Sequence, residues 1–171
     1  MSTRSEASPE QRVVELGLEI PDYRDPPYGG RYGRLKAYHR IGKLVMLGGI
    51  TPEERDGTRI HPGRLGEDLT VEQGYEAARK AAVNCLGMTR LALGSLDEVA
   101  SLARVQCFIV ATPDFDQHHL VGAGMTDLWL DVFGEAAGMA GRADIGVVSL
   151  SNKNCLELWL TLESKSAPGG G

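Results

Sequence analysis

The sequence is short of cysteine and of basic charge, and it has no long hydrophobic run. Three cysteines (Cys85, Cys107 and Cys155) form no CxxC pair and each lies in an apolar segment, so they are expected to be small buried thiols. The four histidines (His39, His61, His118 and His119) show neither HExxH nor Cys/His ligand spacing, so no metal site and no cofactor is expected. Eighteen Lys and Arg against 23 Asp and Glu leave a net charge of −5. Non-specific nucleic-acid binding needs clustered cations against phosphate, so no nucleic-acid partner is expected. No apolar stretch approaches the ~18 residues of a membrane span, and the first twelve residues lack the apolar core of a signal peptide. A cytoplasmic protein without a membrane partner is the expectation. No nucleophile elbow, Walker loop or dinucleotide fingerprint is present; Gly122-Ala123-Gly124 lies within a predicted helix and follows no strand.

What is present suits one domain. The chain has 171 residues, 42% of them hydrophobic, enough for a real core. Residues 1–9 read as a disordered tail, 10–164 as the domain and 165–171 as a second flexible tail. Residues 10–18 form a short amphipathic patch, and 21–34, rich in Pro, Gly and Tyr, are expected to be irregular. Strands are predicted at 35–41 and 43–50, with Ile41-Gly42-Lys43 as a hairpin turn. Thr70-Val71-Glu72-Gln73 is a capping box, and Val71, Tyr75, Ala78, Ala82, Cys85 and Leu86 then recur on one helical face, predicting a helix over 70–93 with Gly94 as its stop. A strand over 103–110 ends at Pro113, and Asp114 is placed to cap a helix over 114–133. Gly122 and Gly124 weaken the middle of that helix, marking a kink or a close approach. A small-residue linker over 134–141 leads to strands over 143–150 and 154–163, joined by a polar turn at 151–154.

The order β-β-α-β-α-β-β predicts an α+β fold, one sheet with two helices on one face. In the last strand Leu156, Leu158, Leu160 and Leu162 point one way, and Glu157, Trp159, Thr161 and Glu163 the other. One sheet face is then left uncovered, which predicts self-association. Arg142 opens an otherwise apolar strand, where a charge needs a partner or solvent. It is either a fork for a carboxylate or a surface arginine paired with Asp144 or Glu157.

Several segments, in order, resemble the YjgF-like or Rid (reactive intermediate deaminase) family, from about residue 12 to 164. ELGLEIPDY is similar to the N-terminal segment of a longer, endoribonuclease-like or chorismate-mutase-like branch. GKLVMLGGITP resembles the family's second strand and its Ser-Gly-Gln-x-Pro turn. GEDLTVEQGYEAARKAAVNCLGMTRLALGSLDEV, with Asn84, resembles the first helix, and TDLWLDVFGEA the second. GRADIGVVSL resembles the Pro-Ala-Arg-x-x-x-x-V-x-x-L signature and CLELWLTLE the closing strand; Arg142 and Glu157 stand fifteen residues apart, the family's usual spacing.

The resemblance implies a chorismate-mutase-like homotrimer with one mixed sheet per subunit and clefts between subunits. It implies hydrolysis of a small imine or enamine acid to the oxo acid and ammonia, without a cofactor. Arg142 would hold the substrate carboxylate, and Glu157 would orient or activate the water. Arg142 and Glu157 are thus expected to face one pocket. Gly49 and Asp144 match positions whose main-chain groups line the cleft, and the Asn of the second helix maps to Ala123 or Thr126. The sequence departs from the pattern in places. Leu35 takes the position of the first-strand Tyr, with Tyr32 and Tyr38 out of register, Ile50 replaces the Gln, and Asp144 is an acid able to neutralise Arg142. His118 and His119 fall near the cleft mouth as candidate acid/base groups or solvated helix residues. The alternative function is a non-catalytic trimeric small-molecule-binding or regulatory protein. Endoribonuclease activity, reported for some relatives, is disfavoured by the acidic charge and by the lack of aromatic residues interleaved with basic ones.

Overall fold

The computed structural model describes residues 7–24 and 32–168. The ends of both predicted tails, and residues 25–31 of the Pro/Gly/Tyr-rich stretch, lie outside the described residues. Within them the chain forms α1 (Pro9–Glu15), β1 (Tyr38–Ile41), β2 (Leu44–Leu47), α2 (Val71–Leu93), β3 (Val99–Val110), α3 (His118–Gly138), β4 (Gly141–Val147) and β5 (Leu156–Ser164). The expected order stands, preceded by one further helix.

The domain edges differ from the sequence boundaries. Ser8 and Gln11 close a capping box on α1, so the helix starts inside the stretch read as tail. Glu10 then ties α1 to the body, accepting from Arg90 Nη2 at 2.5 Å and from Leu96 N–H at 2.8 Å. At the other end Lys165 N–H donates to Glu98 O at 2.8 Å, extending the domain past 164.

The sheet order is β1-β2-β5-β3-β4, with β3 and β4 parallel and the other pairs antiparallel. The hairpin turn falls at Gly42, at φ 57°. The leucines of β5 are buried, as their alternation predicts, and with Val105, Ile109 and Val45 they meet the buried alanines of α2. Trp159, on the opposite face, is 46% exposed. No helix among the described residues is long and apolar enough to cross a membrane.

Helix α2 begins and ends where its signals place it. Thr70 Oγ1 accepts from Gln73 N–H, and Gln73 Oε1 accepts from Thr70 N–H at 2.9 Å. Thr70→Ala is expected to cost about 1 kcal/mol, read as a lowered urea midpoint with an unchanged slope.

Helix α3 departs more from expectation. A turn closed by Phe115 N–H on Thr112 O occupies the residues around Asp114, so Asp114 caps nothing; Gln117 is the N-cap and makes no side-chain cap bond. The helix also runs through the predicted linker to Gly138, passing a break at Gly134 (φ 73°). Gly122 and Gly124 mark close approaches. A Cβ on Gly124 would lie 2.2 Å from Tyr75 O, so only glycine lets α3 cross α2 there.

The first two strands are shorter than predicted. β2 leaves the ladder after Leu47, and Ile50 rejoins it through a bridge to Leu158. Between the Met46–Thr161 pair and that bridge the register slips by one residue, so Gly48-Gly49 form a bulge of the kind that re-aims neighbouring side chains.

Candidate functional site

The bulge shapes a cavity on the open face of the sheet. Tyr32, Leu35, Gly49, Ser151, Glu157 and Trp159 are among its walls, and its volume is about 340 Å³. Glu157 lies under Gly49; a Cβ there would fall 2.2 Å from Glu157 Oε1 and 2.8 Å from Trp159 Nε1. The Trp159 indole N–H donates to Glu157 Oε1 at 2.5 Å. That bond fixes the carboxylate on one side and leaves lone pairs on the other for water or ligand.

Behind this wall lies a buried polar group. Glu53, 7% exposed, accepts at Oε1 from the Tyr32 hydroxyl and from Asn154 Nδ2, the latter at 2.7 Å. Asn84 Nδ2 donates to Thr51 O at 3.0 Å and to Glu53 O at 2.8 Å, anchoring that segment to α2. The sequence assigned Asn84 to a helix motif but gave no sign of this link, which spans more than thirty residues.

Arg142 does not share the cavity. It pairs with Val105 of β3, which in turn pairs with Leu160 of β5. Side chains in register point to the same sheet face, so Arg142 lies on the helix face with the leucines. Glu157 pairs with Phe108 and lies on the other face. The expectation that both residues face one pocket is therefore corrected within a single chain. Sequence spacing alone cannot set a residue's face across three strands.

On the helix face Arg142 is held on three sides. Its Nε donates to Asp144 Oδ2 at 2.9 Å, Nη1 to Thr126 Oγ1, and Nη2 to His119 O at 2.9 Å. Asp144 and Thr126 are thus gathered around Arg142, as the sequence grouped them, and Thr126 rather than Ala123 is the contact. A guanidinium carries five donors; these bonds leave one N–H on each terminal nitrogen. The pair is largely buried, with side chains 18% and 11% exposed. Gly122 of α3 passes directly over it, and a Cβ there would lie 1.9 Å from Asp144 Oδ1.

His118 begins α3 with its ring edge-on to Phe115, centroids 5.0 Å apart. Its Nε2 is buried beside Gly146 and, like Asp144 Oδ1, has no hydrogen-bond partner among the described residues. The cysteines are all buried. Burial pushes the thiol pKa of Cys155 up to about 12 and raises those of Cys85 and Cys107; at Cys107 the Asp144 charge adds to the effect. None is a poised nucleophile. No three His, Cys, Asp or Glu among the described residues are grouped to hold a metal ion.

A family model described as "YjgF/chorismate mutase-like, putative endoribonuclease" matches residues 10–161. The chain belongs to this family. Protein TCP17 of Trypanosoma cruzi is 39% identical over 138 residues, 81% of this chain and 82% of the relative. A crystal structure from Shewanella oneidensis, described as a putative endoribonuclease, is 28% identical with a TM-score of 0.83, covering 92% of this chain and 99% of that one. The protein Atu1372 of Agrobacterium tumefaciens, described as of unknown function, is 28% identical with a TM-score of 0.80, covering 92% and 94%. YjgF-like membership accounts for the mixed sheet with helices on one face and for the signature that places Arg142 at the start of β4. Tyr32, Trp159 and Gly122 escaped the sequence analysis as site residues. Only the strand alternation at Trp159 carried any signal of its face.

Proposed function

We propose that the protein is a Rid-type deaminase that hydrolyses a small imine or enamine acid to the oxo acid and ammonia. The observation that carries this is the Glu157 carboxylate, presented in a cavity and oriented by the Trp159 N–H. Glu157 takes a proton from a water whose oxygen adds to the imine carbon. With the imine nitrogen entering protonated, the adduct is a neutral carbinolamine; Glu157 returns its proton to the nitrogen and then takes the hydroxyl proton as the C–N bond breaks, so that the carbonyl forms and ammonia leaves.

The substrate carboxylate is taken by the two remaining N–H groups of Arg142. Because Arg142 and Glu157 lie on opposite sheet faces, a complete site needs two subunits, the open face of one meeting the α3/β4 side of the next, as in a homotrimer. Exposed Leu35 and Trp159 on the open face and Val148 just beyond β4 support such packing. Gly49 and Asp144 contribute main-chain groups beside the two poles. Nucleic acid has no part in this reading, in keeping with a net charge of −5.

Glu157→Gln keeps the shape and removes the base. It is expected to lower the turnover of a 2-imino acid, generated in situ by an amino-acid oxidase, by ~10²–10⁴-fold. Ammonia release at the wild-type rate would remove Glu157 from the mechanism.

The hydrogen bonds that occupy Arg142 favour a second reading. With its charge offset by Asp144 and Leu35 in the cavity wall, the protein would bind a small carboxylate without turning it over, as a trimeric binding or regulatory protein. Calorimetric binding of 2-oxo acids with no ammonia release from any imine would decide for it.

A further inference from the structure

We propose that the carboxyl ends of β3 and β4 form a second ligand site, a pocket for a carboxylate with an apolar body, read by Arg64. The two parallel strands and the helix α3 that joins them make one crossover unit. In open sheets, ligands bind in the crevice outside the carboxyl ends of parallel strands. Here that crevice is a cavity of about 510 Å³, and Arg64, Ala111, Pro113, Phe115, His118 and Val148 are among its walls. The wall takes up β4 only from Gly146 onward and does not include Arg142. Arg142 starts four residues earlier, roughly 13 Å along the strand at about 3.3 Å per residue. The cavity is likewise separate from the one over Glu157, with which it shares no residue.

Backbone pairing with the end of β3 sets Arg64 in place. Leu65 N–H donates to Val110 O at 2.9 Å, and Thr112 N–H to Leu65 O at 3.0 Å. Arg64 Nη1 then donates to Ala111 O at 2.8 Å and Nη2 to Val148 O at 2.9 Å. Both acceptors belong to wall residues, one just beyond each strand, so the guanidinium bridges the two strand ends at the cavity. One N–H remains on each terminal nitrogen. Carbonyl dipoles offset the charge only in part. Glu67 Oε2 stands 3.5 Å from Nε, but that side chain is 66% exposed, and exposed pairs are weak. No Asp or Glu among the described residues lines the cavity, and its other titratable side chain, His118, is neutral or positive. A cavity whose charge is of one sign complements an anion. A single guanidinium with two N–H groups in one plane suits one carboxylate; a phosphate dianion calls for more donors. Pro113, Phe115, Val147 and Val148 offer apolar contact to the body of the ligand.

The experiment is an NMR titration of the full chain with phenylacetate, its neutral amide phenylacetamide, and phenyl phosphate. Wild type is expected to bind phenylacetate with a Kd of about 0.1–1 mM and to prefer it to the amide by at least about tenfold. Arg64→Gln removes the charge and is expected to cut that preference to about twofold. Because Arg64 also holds two backbone carbonyls, a second variant leaves it in place. Pro113→Glu adds a negative charge at an exposed wall position and is expected to cut the preference to a similar extent. Arg142→Met combined with Asp144→Leu is expected to keep the full preference. A preference that survives in Arg64→Gln or in Pro113→Glu overturns the assignment, and its loss in the Arg142/Asp144 variant seats the ligand on Arg142 instead. No binding to wild type, or phenyl phosphate bound more tightly than phenylacetate, overturns it as well. The imine reaction does not enter this measurement, so the result stands whether or not ammonia is released.

Discussion

Gly122→Ala is expected to destabilise the protein by about 2–4 kcal/mol, a large effect for the addition of one methyl group. The new Cβ would lie 1.9 Å from Asp144 Oδ1 and 2.9 Å from Arg142 Nε. Asp144 has little freedom to turn aside, because its other oxygen accepts from Arg142, nor can α3 lift easily, because Val121 and Met125 beside Gly122 are fully buried. Overpacking of this kind costs about 1–3 kcal/mol, and disturbing a largely buried ion pair adds to it. Alanine's better helix propensity returns about 1 kcal/mol. Urea unfolding gives the net value, and a double-mutant cycle gives the cause. Asp144→Ala in the Gly122→Ala background should cost at least about 1 kcal/mol less than in wild type, since it removes the clash as well as the pair. Strictly additive costs would mean that α3 does not press on Asp144.

The second large effect concerns Arg142, where stability and function must be separated. Arg142→Met leaves Asp144 in place with its ion-pair partner removed and is expected to cost about 2–4 kcal/mol. That is about 1 kcal/mol less than the range of about 3–5 kcal/mol for breaking fully buried pairs, because these side chains retain some solvent contact. Lost activity in this variant alone would therefore be ambiguous. Arg142→Met combined with Asp144→Leu removes both charges together and is expected to recover stability to within about 1–2 kcal/mol of wild type, since apolar replacement of a whole buried pair is often neutral. If Arg142 holds the carboxylate, the stable double variant releases no ammonia and binds no 2-oxo acid. Turnover at the wild-type rate in that variant would take Arg142 out of the site and leave it a structural residue.

These two variants bear on the point where sequence and structure parted. Asp144, two residues from Arg142, was legible as a neutralising acid, and the 2.9 Å bond bears this out. Thr126 was one of two alternatives for the position of the second-helix Asn, and it is Thr126 that contacts Arg142. The pairing of Arg142 with Glu157 in one pocket was inferred from spacing and family register. Within one chain it fails, because whether two strands' residues share a face depends on a register that the intervening strand sets.

The sequence by itself determined the local features: the capping box at Thr70, the alternation that buries four leucines of β5 and turns Glu157 and Trp159 the other way, the buried thiols, and the family signature. Each depends on residues within a few positions of one another, where helical and strand periods are set by backbone geometry. Tertiary structure alone decided the rest. The one-residue slip at Gly48-Gly49 opened the cavity over Glu157. The order β5-β3-β4 put Arg142 on the helix face, and the passage of α3 over β4 made Gly122 the lid of its ion pair. Glu53 and Asn154, a hundred residues apart, met behind Tyr32. Such juxtapositions arise from packing between distant segments, and no period along the chain encodes them.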